Sequence, residues 1–321
     1  MLRFQLLGAL LLVLGGGLLG ACQRGGESDV SRTADGVMRL GAVEVVDTVG
    51  RTVAPNDRPL VLEGLRGSVQ LSGADRRTTD LSFVRRGRGD DPDAGRSVVE
   101  GISITEQGTE SEYVYTLAAD DEDYAAVDIR GTVPRQTALR IDRLSGAVVI
   151  EGVGGALTVT HDHGSVDVEG AAAPVEVTIK NGDVRVGFRS VPTEGTLRLQ
   201  TANGDIDVGL PPEASVQVDA RTNAGTIRTQ GLSFSPERFA PVNAGARYTA
   251  ELGTGGPTLE ARTENGSITL RGRTAAAADS AQAETGTAPE PTVPAADSVV
   301  APPPAPDTGR ADTAAAPDTT Q

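Results

Sequence analysis

Apolar and polar residues alternate strictly along much of this chain. The alternation is clear after Gly164, where Val166 and Val168 are predicted to point inward while Asp167 and Glu169 face water. Such alternation indicates a β-strand with one buried face. Beyond the N-terminal apolar run, no stretch repeats with a helical period. The pattern therefore predicts an all-β fold with no helix in the mature chain.

The alternating unit starts at a glycine and recurs along the chain. The repeat glycines, at intervals of 18, 18, 22, 21 and 41 residues, are Gly146, Gly164, Gly182, Gly204, Gly225 and Gly266. A turn between strands needs a residue that tolerates positive φ or close backbone approach, so these six are predicted to be structural turn glycines. A period of about 20 residues holding two strands predicts a β-solenoid, a right-handed β-helix-like repeat of short strands.

A second geometry fits the same residues. The dipeptide Asn-Gly occurs at 181–182, 203–204 and 265–266, and it is a strong signal for a two-residue hairpin turn. Folding at the first of these would pair Ile179 with Val184 on one face. An antiparallel meander or sandwich is therefore the alternative to the solenoid.

The N-terminus is typical of an exported bacterial protein. Residues 1–21 combine an early arginine with a short apolar run, as expected for a signal peptide. The sequence Leu19-Gly20-Ala21-Cys22 resembles the lipobox of bacterial lipoproteins, which implies cleavage before Cys22 and acylation of that residue. Two or more acyl chains anchor a protein stably, so a membrane is the predicted partner of Cys22. An ordinary signal peptide or a single-pass anchor is the alternative, although the run is short for a spanning helix.

Composition divides the mature chain into three parts. Residues 22–36 are small and polar and are predicted to form a flexible tether. Residues 37–273 carry the β-repeat. Residues 274–321, rich in Ala, Pro, Thr and Asp, are predicted to be a disordered tail whose removal leaves thermal stability unchanged. Within the repeat region, residues 259–273 are expected to close the end of the solenoid.

The overall composition excludes several functional classes. The formal charge is −15, so the chain lacks the basic surface that nucleic acid binding requires. Nine aromatic residues leave little for stacking platforms, and one cysteine with two histidines leaves no zinc cage or disulfide framework. We predict no nucleic acid partner and no cofactor.

Two groups of side chains could carry chemistry. His161-Asp162-His163 places two imidazoles on one strand face, but no third histidine or a free cysteine completes a metal site. Asp183, Asp205 and Asp207 recur after turn glycines, where stacked coils would align Asp183 with Asp205 as the carboxylate pair of a polysaccharide-active enzyme. Turn capping and solvation explain both groups more simply. We therefore predict no catalytic, cofactor-binding or metal site.

Two charged segments are expected to be loops. Residues 120–123, Asp-Asp-Glu-Asp, lie between two strand patterns as a solvated connection. Residues 85–97 are predicted to form the tip of a long hairpin. The tripeptide Arg88-Gly89-Asp90 inside that tip is expected by chance in a chain so rich in these residues.

The repeat region resembles the bacterial DUF4097 family of β-strand-repeat, adhesin-like proteins, which is related to the GIN-domain adhesin heads. Besides the glycine units, the resemblance rests on Val133-Pro134, Ala138-Leu-Arg-Ile, Thr201-Ala-Asn-Gly-Asp-Ile-Asp-Val, Leu210-Pro-Pro-Glu-Ala-Ser-Val, Thr222-Asn-Ala-Gly-Thr-Ile and Thr263-Glu-Asn-Gly-Ser-Ile. It covers residues 127–272 well and 37–126 loosely. The resemblance implies a solenoid-like fold and an envelope location, and it implies no catalytic residues.

Together these patterns predict a protein of the bacterial cell envelope. The expected function is that of a non-catalytic structural or adhesion-like binding module, anchored through Cys22, with the outer membrane favoured because Gln23 follows the cysteine. An envelope polysaccharide or protein is the candidate partner. An envelope carbohydrate- or ion-binding module is the alternative, and a polysaccharide-active enzyme is a distant third.

Overall fold

The computed structural model describes residues 31–32, 38–39, 43–55 and 57–273. The predicted signal peptide over residues 1–21, the lipidation residue Cys22 and the 274–321 tail lie outside the described residues. Of the predicted 22–36 tether, only a two-residue strand is described.

The described chain contains twenty-three strands and one helix. The first elements are β1 (Ser31–Arg32), β2 (Met38–Arg39), β3 (Val43–Val53), β4 (Leu60–Gly64), β5 (Val69–Ala74), β6 (Thr79–Gly89), α1 (Pro92–Glu100), β7 (Ile102–Gly108), β8 (Tyr113–Ala119) and β9 (Ala125–Pro134). The next are β10 (Leu139–Ser145), β11 (Val148–Glu151), β12 (Leu157–His163), β13 (Val166–Ala171), β14 (Val175–Asn181), β15 (Val184–Phe188), β16 (Leu197–Asn203) and β17 (Ile206–Leu210). The last are β18 (Val216–Ala224), β19 (Ile227–Gln230), β20 (Glu237–Val242), β21 (Gly245–Leu252), β22 (Thr258–Asn265) and β23 (Ile268–Gly272).

Most strands belong to two long sheets. Sheet I has eleven strands in the order β20-β21-β18-β22-β16-β14-β12-β10-β4-β8-β7, and sheet II has ten in the order β19-β23-β17-β15-β13-β11-β5-β9-β6-β3. Each coil contributes one strand to each sheet, and successive coils pair in parallel, as β12 does with β14. The solenoid prediction is confirmed. The hairpin alternative at residues 181–182 is wrong, because β14 and β15 lie in different sheets.

The core lies between the two sheets and is built from columns of identical register. One column of sheet II, in which no side chain is more than 1% exposed, consists of Val148, Val166, Val184, Ile206 and Ile268. The facing column of sheet I consists of Leu139, Leu157, Val175, Leu197 and Leu259. Full burial of such a side chain contributes about 1.5–3 kcal/mol, so the stacked coils stabilise one another.

The order of coils in space differs from their order in the chain at both ends. The coil of β22 and β23 lies between the β16/β17 coil and the β18/β19 coil. Likewise, the β4/β5 coil lies between the β8/β9 and β10/β11 coils. The expectation that residues 259–273 close the solenoid is therefore wrong. Most of that segment forms β22 and β23, which have a parallel neighbour on each side.

One helix interrupts the all-β pattern, so the expectation of no helix was wrong. Residues 85–97 are not a hairpin tip, because β6 continues to Gly89 and α1 follows at Pro92–Glu100. The Asp91 side chain accepts a hydrogen bond from the Ala94 backbone N–H at 2.8 Å and caps the helix. An aspartate followed by proline is a recognised start signal for a helix, and the composition of the loop concealed it. No helix among the described residues is long and apolar enough to cross a membrane.

Candidate functional site

The six repeat glycines all lie at the same place, the corner where a coil passes from sheet I to sheet II. Their φ angles fall between 127° and 153°, a region that residues with a Cβ rarely adopt. Space is also absent, because a Cβ at Gly204 would overlap the carbonyl oxygen of Gly182 in the adjacent coil. The stacked corners therefore approach so closely that only glycine fits.

Inside each corner, a side chain three residues before the glycine faces the core. In three coils this residue is a threonine that donates to the glycine carbonyl of the neighbouring coil. The bonds are Thr201 to Gly182 at 2.9 Å, Thr263 to Gly204 at 2.9 Å and Thr222 to Gly266 at 2.8 Å. We call this series the corner donor column. It satisfies carbonyl groups that burial would otherwise leave without a partner.

The column changes character toward the N-terminal coils. His161 and Arg143 occupy the same register as the threonines. Ile179, which lies between His161 and Thr201 in the column, has no polar hydrogen and cannot donate a hydrogen bond. Sequence reasoning missed Arg143 and the threonines. The signal was available, since each of them stands three residues before a repeat glycine.

His161 is buried in the core and does not pair with the other histidine. Its Nε2 lies 2.6 Å from the Gly146 carbonyl oxygen and its Nδ1 lies 3.1 Å from that of Arg143. Burial lowers the pKa of His161 below its usual value and outweighs the two carbonyl contacts, which favour the charged ring. We assign the proton of the neutral ring to Nε2, because this contact is shorter and repeats the column. His163 is exposed at the corner instead.

Arg143 is the largest fully buried side chain among the described residues, with 2% of its surface exposed. Its Nη2 donates to the Val127 carbonyl at 2.7 Å and lies 3.4 Å from that of Gly67. Burial lowers the pKa of Arg143 to about 10, while the nearby Asp128 carboxylate acts in the opposite direction. A guanidinium with so few partners contributes more to positioning the corner than to stability.

Outside each corner, the Asn-Gly asparagines form a ladder of side-chain amides. Asn265 donates to Asn203 at 2.9 Å, and Asn203 donates to Asn181 at 2.9 Å. The ladder ends at His163, whose Nδ1 lies 3.1 Å from the Asn181 amide nitrogen. The dipeptides that suggested hairpins therefore serve two other purposes, an amide ladder and a glycine corner.

The predicted alignment of Asp183 with Asp205 is present in the structure, but their carboxylates bind backbone. Asp183 accepts from the Asp205 backbone N–H at 2.8 Å, and Asp205 accepts from that of Ser267 at 2.7 Å. Asp207 is on the outer face of sheet II and forms an ion pair with Arg271. Each carboxylate thus has a partner that explains its position. Among the described residues, no three His, Cys, Asp or Glu side chains cluster as metal ligands.

The remaining charged segments have ordinary surroundings. Asp123 of the 120–123 loop lies 3.6 Å from the Arg66 guanidinium. Arg88 lies near the end of strand β6 and contacts Glu44 at 3.1 Å, while Asp90 is exposed just before the helix cap. The tripeptide at 88–90 is therefore divided between a strand and a helix start.

Parts of the outer faces carry charges that alternate between coils. On sheet I, Arg198 contacts Glu176 at 3.3 Å on one side and Glu260 at 3.0 Å on the other. Lys180 contacts Asp162 of the preceding coil at 2.8 Å. Exposed pairs of this kind contribute about 0–1 kcal/mol each, so they specify register more than they stabilise it.

Comparison with known proteins identifies the repeat region. Residues 115–278, just over half of the chain, match the family model described as Toastrack DUF4097. No curated protein matches the sequence.

Several solved structures are similar to the chain. A candidate cell adhesion protein from Clostridium sporogenes shares 12% identity, with a TM-score of 0.42 over 71% of this chain and 100% of its own. A candidate adhesin from Bacteroides fragilis shares 14% identity, with a TM-score of 0.36 over 71% and 97%. A candidate lipid-binding protein from Parabacteroides distasonis shares 8%, with a TM-score of 0.20 over 71% and 97%. These values are too low to indicate what this chain binds.

Proposed function

Because the chain belongs to the Toastrack DUF4097 family and its strands form a solenoid, we propose that it is a lipid-anchored, non-catalytic binding module of the bacterial cell envelope. In this role the solenoid presents long, regular polar faces to a structural or adhesive partner. Anchoring is assigned to Cys22, whose acyl chains would hold the solenoid at a membrane, with the outer membrane favoured.

The observation that carries the proposal is that the polar side chains at the corners are already engaged in hydrogen bonds within the solenoid. The residue types that suggested chemistry, His161, Asp183 and Asp205, each bind backbone groups of a neighbouring coil. Their polar atoms serve the stacking of coils. What the described solenoid offers to a partner is therefore its outer faces, which are polar and repetitive and suit a polyvalent contact.

The anchor is tested by mass spectrometry of the mature N-terminal peptide from membranes. The expected result is a chain that starts at Cys22 and carries acyl chains, and that Cys22→Ser converts to an unacylated form. An unmodified Cys22, or a mature chain that starts elsewhere, would refute anchoring.

Protease treatment of intact cells then tests the location. Release of peptides from residues 43–273, with the acylated N-terminus retained, would support a surface role. Complete protection until the envelope is broken would support a periplasmic structural role. Cleavage in the cytoplasmic fraction alone would contradict an envelope location.

A carbohydrate-binding role is the second candidate, and one observation favours it. A shallow groove on the outer face of sheet I is lined by polar side chains, namely Thr178, Gln200, Arg221, Asn223, Arg262 and Glu264. These can form hydrogen bonds with sugar hydroxyl or carboxylate groups, although the groove has no aromatic platform. Co-sedimentation with isolated envelope polysaccharide tests it, and binding that Gln200→Ala leaves unchanged would count against the groove.

A further inference from the structure

One row of residues on the outer face of sheet I separates its charges. The row is a single register line through nine neighbouring strands, and its members in spatial order are Thr116, Glu63, Asp142, Thr160, Thr178, Gln200, Arg262, Arg221 and Arg247. Two adjacent carboxylates stand near one end, uncharged side chains fill the middle, and three adjacent arginines occupy the other end. We call this line the polar row.

Such segregation is unfavourable within one copy of the chain. Like charges directly opposite each other on neighbouring strands destabilise a sheet. Other parts of the outer faces do alternate, as where Arg185 contacts Asp167 at 3.0 Å, although an adjacent line of sheet I places Asp219 beside Glu260. In the polar row, Arg262 and Arg247 pair with carboxylates of an adjacent line. Arg221 and Asp142 are exposed and have no ion pair among the described residues. The two ends of the row therefore have unmet charge of opposite sign.

The row is self-complementary about its centre. Thr178 on β14 lies three strands from both Glu63 and Arg221, and two strands from both Asp142 and Arg262. A second copy turned over about an axis along β14 reverses the strand order but keeps the strand direction. That operation places Glu63 of each copy opposite Arg221 of the other, and Asp142 opposite Arg262.

From this symmetry we propose that the outer face of sheet I binds the same face of a second copy, forming a two-fold dimer. The contact is isologous, so the two charge pairs occur twice. On an adjacent line Arg140 lies opposite Glu260, a carboxylate that already contacts Arg198 and Arg262 of its own chain. Glu176 meets its own copy at the axis and is already paired with Arg198.

The face is large enough for a dimer. Seven strands from β4 to β18 at about 4.8 Å spacing span about 29 Å, and seven residues along the strands from β10 to β18 span about 23 Å. The shorter β4 adds Glu63 to the face, while its Val61 is already buried. Such a face is about 650 Å² per copy, or about 1,300 Å² in total, within the range of specific protein–protein interfaces. Because it is polar, the association should weaken as salt concentration rises. The inference does not depend on the lipid anchor.

Charge reversal tests the dimer with the full chain. Two double variants are made, Glu63→Arg with Asp142→Arg, and Arg221→Glu with Arg262→Glu. Each should sediment as a monomer, because both ends of its row then have the same sign. An equimolar mixture should restore the dimer, since each reversed end faces an end of opposite charge. For each variant alone we expect the dissociation constant of the dimer to be larger than that of the native chain by about tenfold or more.

The control reverses two arginines on the other sheet. Arg185→Glu with Arg271→Glu changes the net charge as much as Arg221→Glu with Arg262→Glu does, but on the outer face of sheet II. It should leave dimerisation unchanged. Circular dichroism verifies that each variant folds, and rescue by mixing cannot come from unfolded chains.

Three outcomes would overturn the dimer. The first is a native chain that remains a monomer at about 100 µM in low salt. The second is a dimer that persists in both reversed variants. The third is a native monomer that binds an anionic polysaccharide through Arg221 and Arg262, which would assign the arginine end to a different ligand.

Discussion

The middle and the ends of the solenoid are built from the same unit but assembled differently. From β12 to β17, each coil stacks on the coil that precedes it in the chain. At both ends, one coil is instead inserted between two others, and antiparallel strands such as β3, β7 and β20 lie at the sheet edges. The repeat thus specifies the shape of a coil and its corner, and leaves open which coil becomes its neighbour.

The reason is that every coil offers its neighbours the same features. The corner glycine and the apolar column are equivalent on both sides of a coil, so two stacking orders satisfy them equally. The interval of 41 residues between Gly225 and Gly266 provides the chain needed to reach past the β18/β19 coil. It contains the β20–β21 hairpin, whose exposed edge strand carries Pro241 and so has one fewer donor for unwanted pairing.

The largest expected effect follows from the inserted coil. Deleting residues 259–273 removes β22 and β23 from between two coils, so the β18/β19 coil loses its parallel partner and the core column is interrupted. We expect loss of cooperative folding, because the cost exceeds the roughly 5–15 kcal/mol by which a domain is stable. Thermal unfolding followed by circular dichroism measures it.

The matched deletion removes residues 274–321. Here the sequence predicts no change in melting temperature, since this segment lacks the apolar content to join a core. If the shorter deletion instead left a cooperative transition of normal enthalpy, the insertion of the β22/β23 coil would be refuted.

The next effect concerns the corners of the regular stack. Gly204→Ala should destabilise the chain by about 2–4 kcal/mol, because alanine is strained at φ 150° and its Cβ would overlap the Gly182 carbonyl. Gly50→Ala is the control, since a Cβ there meets nothing within 4 Å. Chemical denaturation of both variants gives the difference, and equal free energies of unfolding would mean that the corners are not closely stacked.

These corners show how far the sequence can be read. The glycines and the alternation were predictable, because each depends on residues a few positions apart. The alignment of Asp183 with Asp205 was predictable because their two coils are consecutive in the chain and stack directly on each other. The hairpin signal at Asn181-Gly182 was misleading. The asparagine hydrogen-bonds to Asn203 of the next coil, and the glycine forms the corner between the two sheets. A propensity derived from one turn does not include contacts made by its stacked neighbours.

The features that could not be predicted depend on distant partners. The carbonyl partners of Arg143, on Val127 and Gly67, and the charge separation between Glu63 and Arg221 require the stacking order, which the repeat does not encode. Helix α1 was missed for a different reason. Its Asp91 cap signal was present but lay in a stretch read as loop because of its charge.

A smaller effect distinguishes the two halves of the corner donor column. Since burial lowers the pKa of His161 below 6.5, the folded state binds the proton less well than the unfolded state does. The contribution of the neutral His161 ring to the free energy of unfolding is therefore complete above about pH 6.5. It is lost as pH falls from there through the lower pKa of the folded state, by up to about 1.4 kcal/mol per pH unit. His161→Thr keeps a donor in the column and should flatten this slope in denaturation measured from pH 7.5 down to pH 5.

The control for this slope is the exposed histidine. His163→Asn replaces the other imidazole with the amide that three corners of the ladder already use. We expect the decline of stability toward acid pH to remain in this variant. Loss of the slope in His163→Asn, with the slope intact in His161→Thr, would reverse the assignment.

The smallest effect concerns Ile179, the residue of the corner donor column that lies between His161 and Thr201 and cannot donate a hydrogen bond. It tests most directly whether the column stabilises the stacking of coils. Ile179 is 2% exposed, and the Thr201 hydroxyl in the next coil shows the geometry that a threonine here would adopt toward Gly164. Ile179→Val and Ile179→Thr remove nearly the same volume, so the difference between their free energies of unfolding isolates the effect of the hydroxyl.

A buried hydroxyl without a partner costs about 1–3 kcal/mol, whereas a satisfied one contributes about 0.5–1.5 kcal/mol. We therefore expect the threonine variant to be at least as stable as the valine variant in chemical denaturation. A threonine variant that is less stable by a kilocalorie or more would show that the column is a consequence of stacking and not one of its causes.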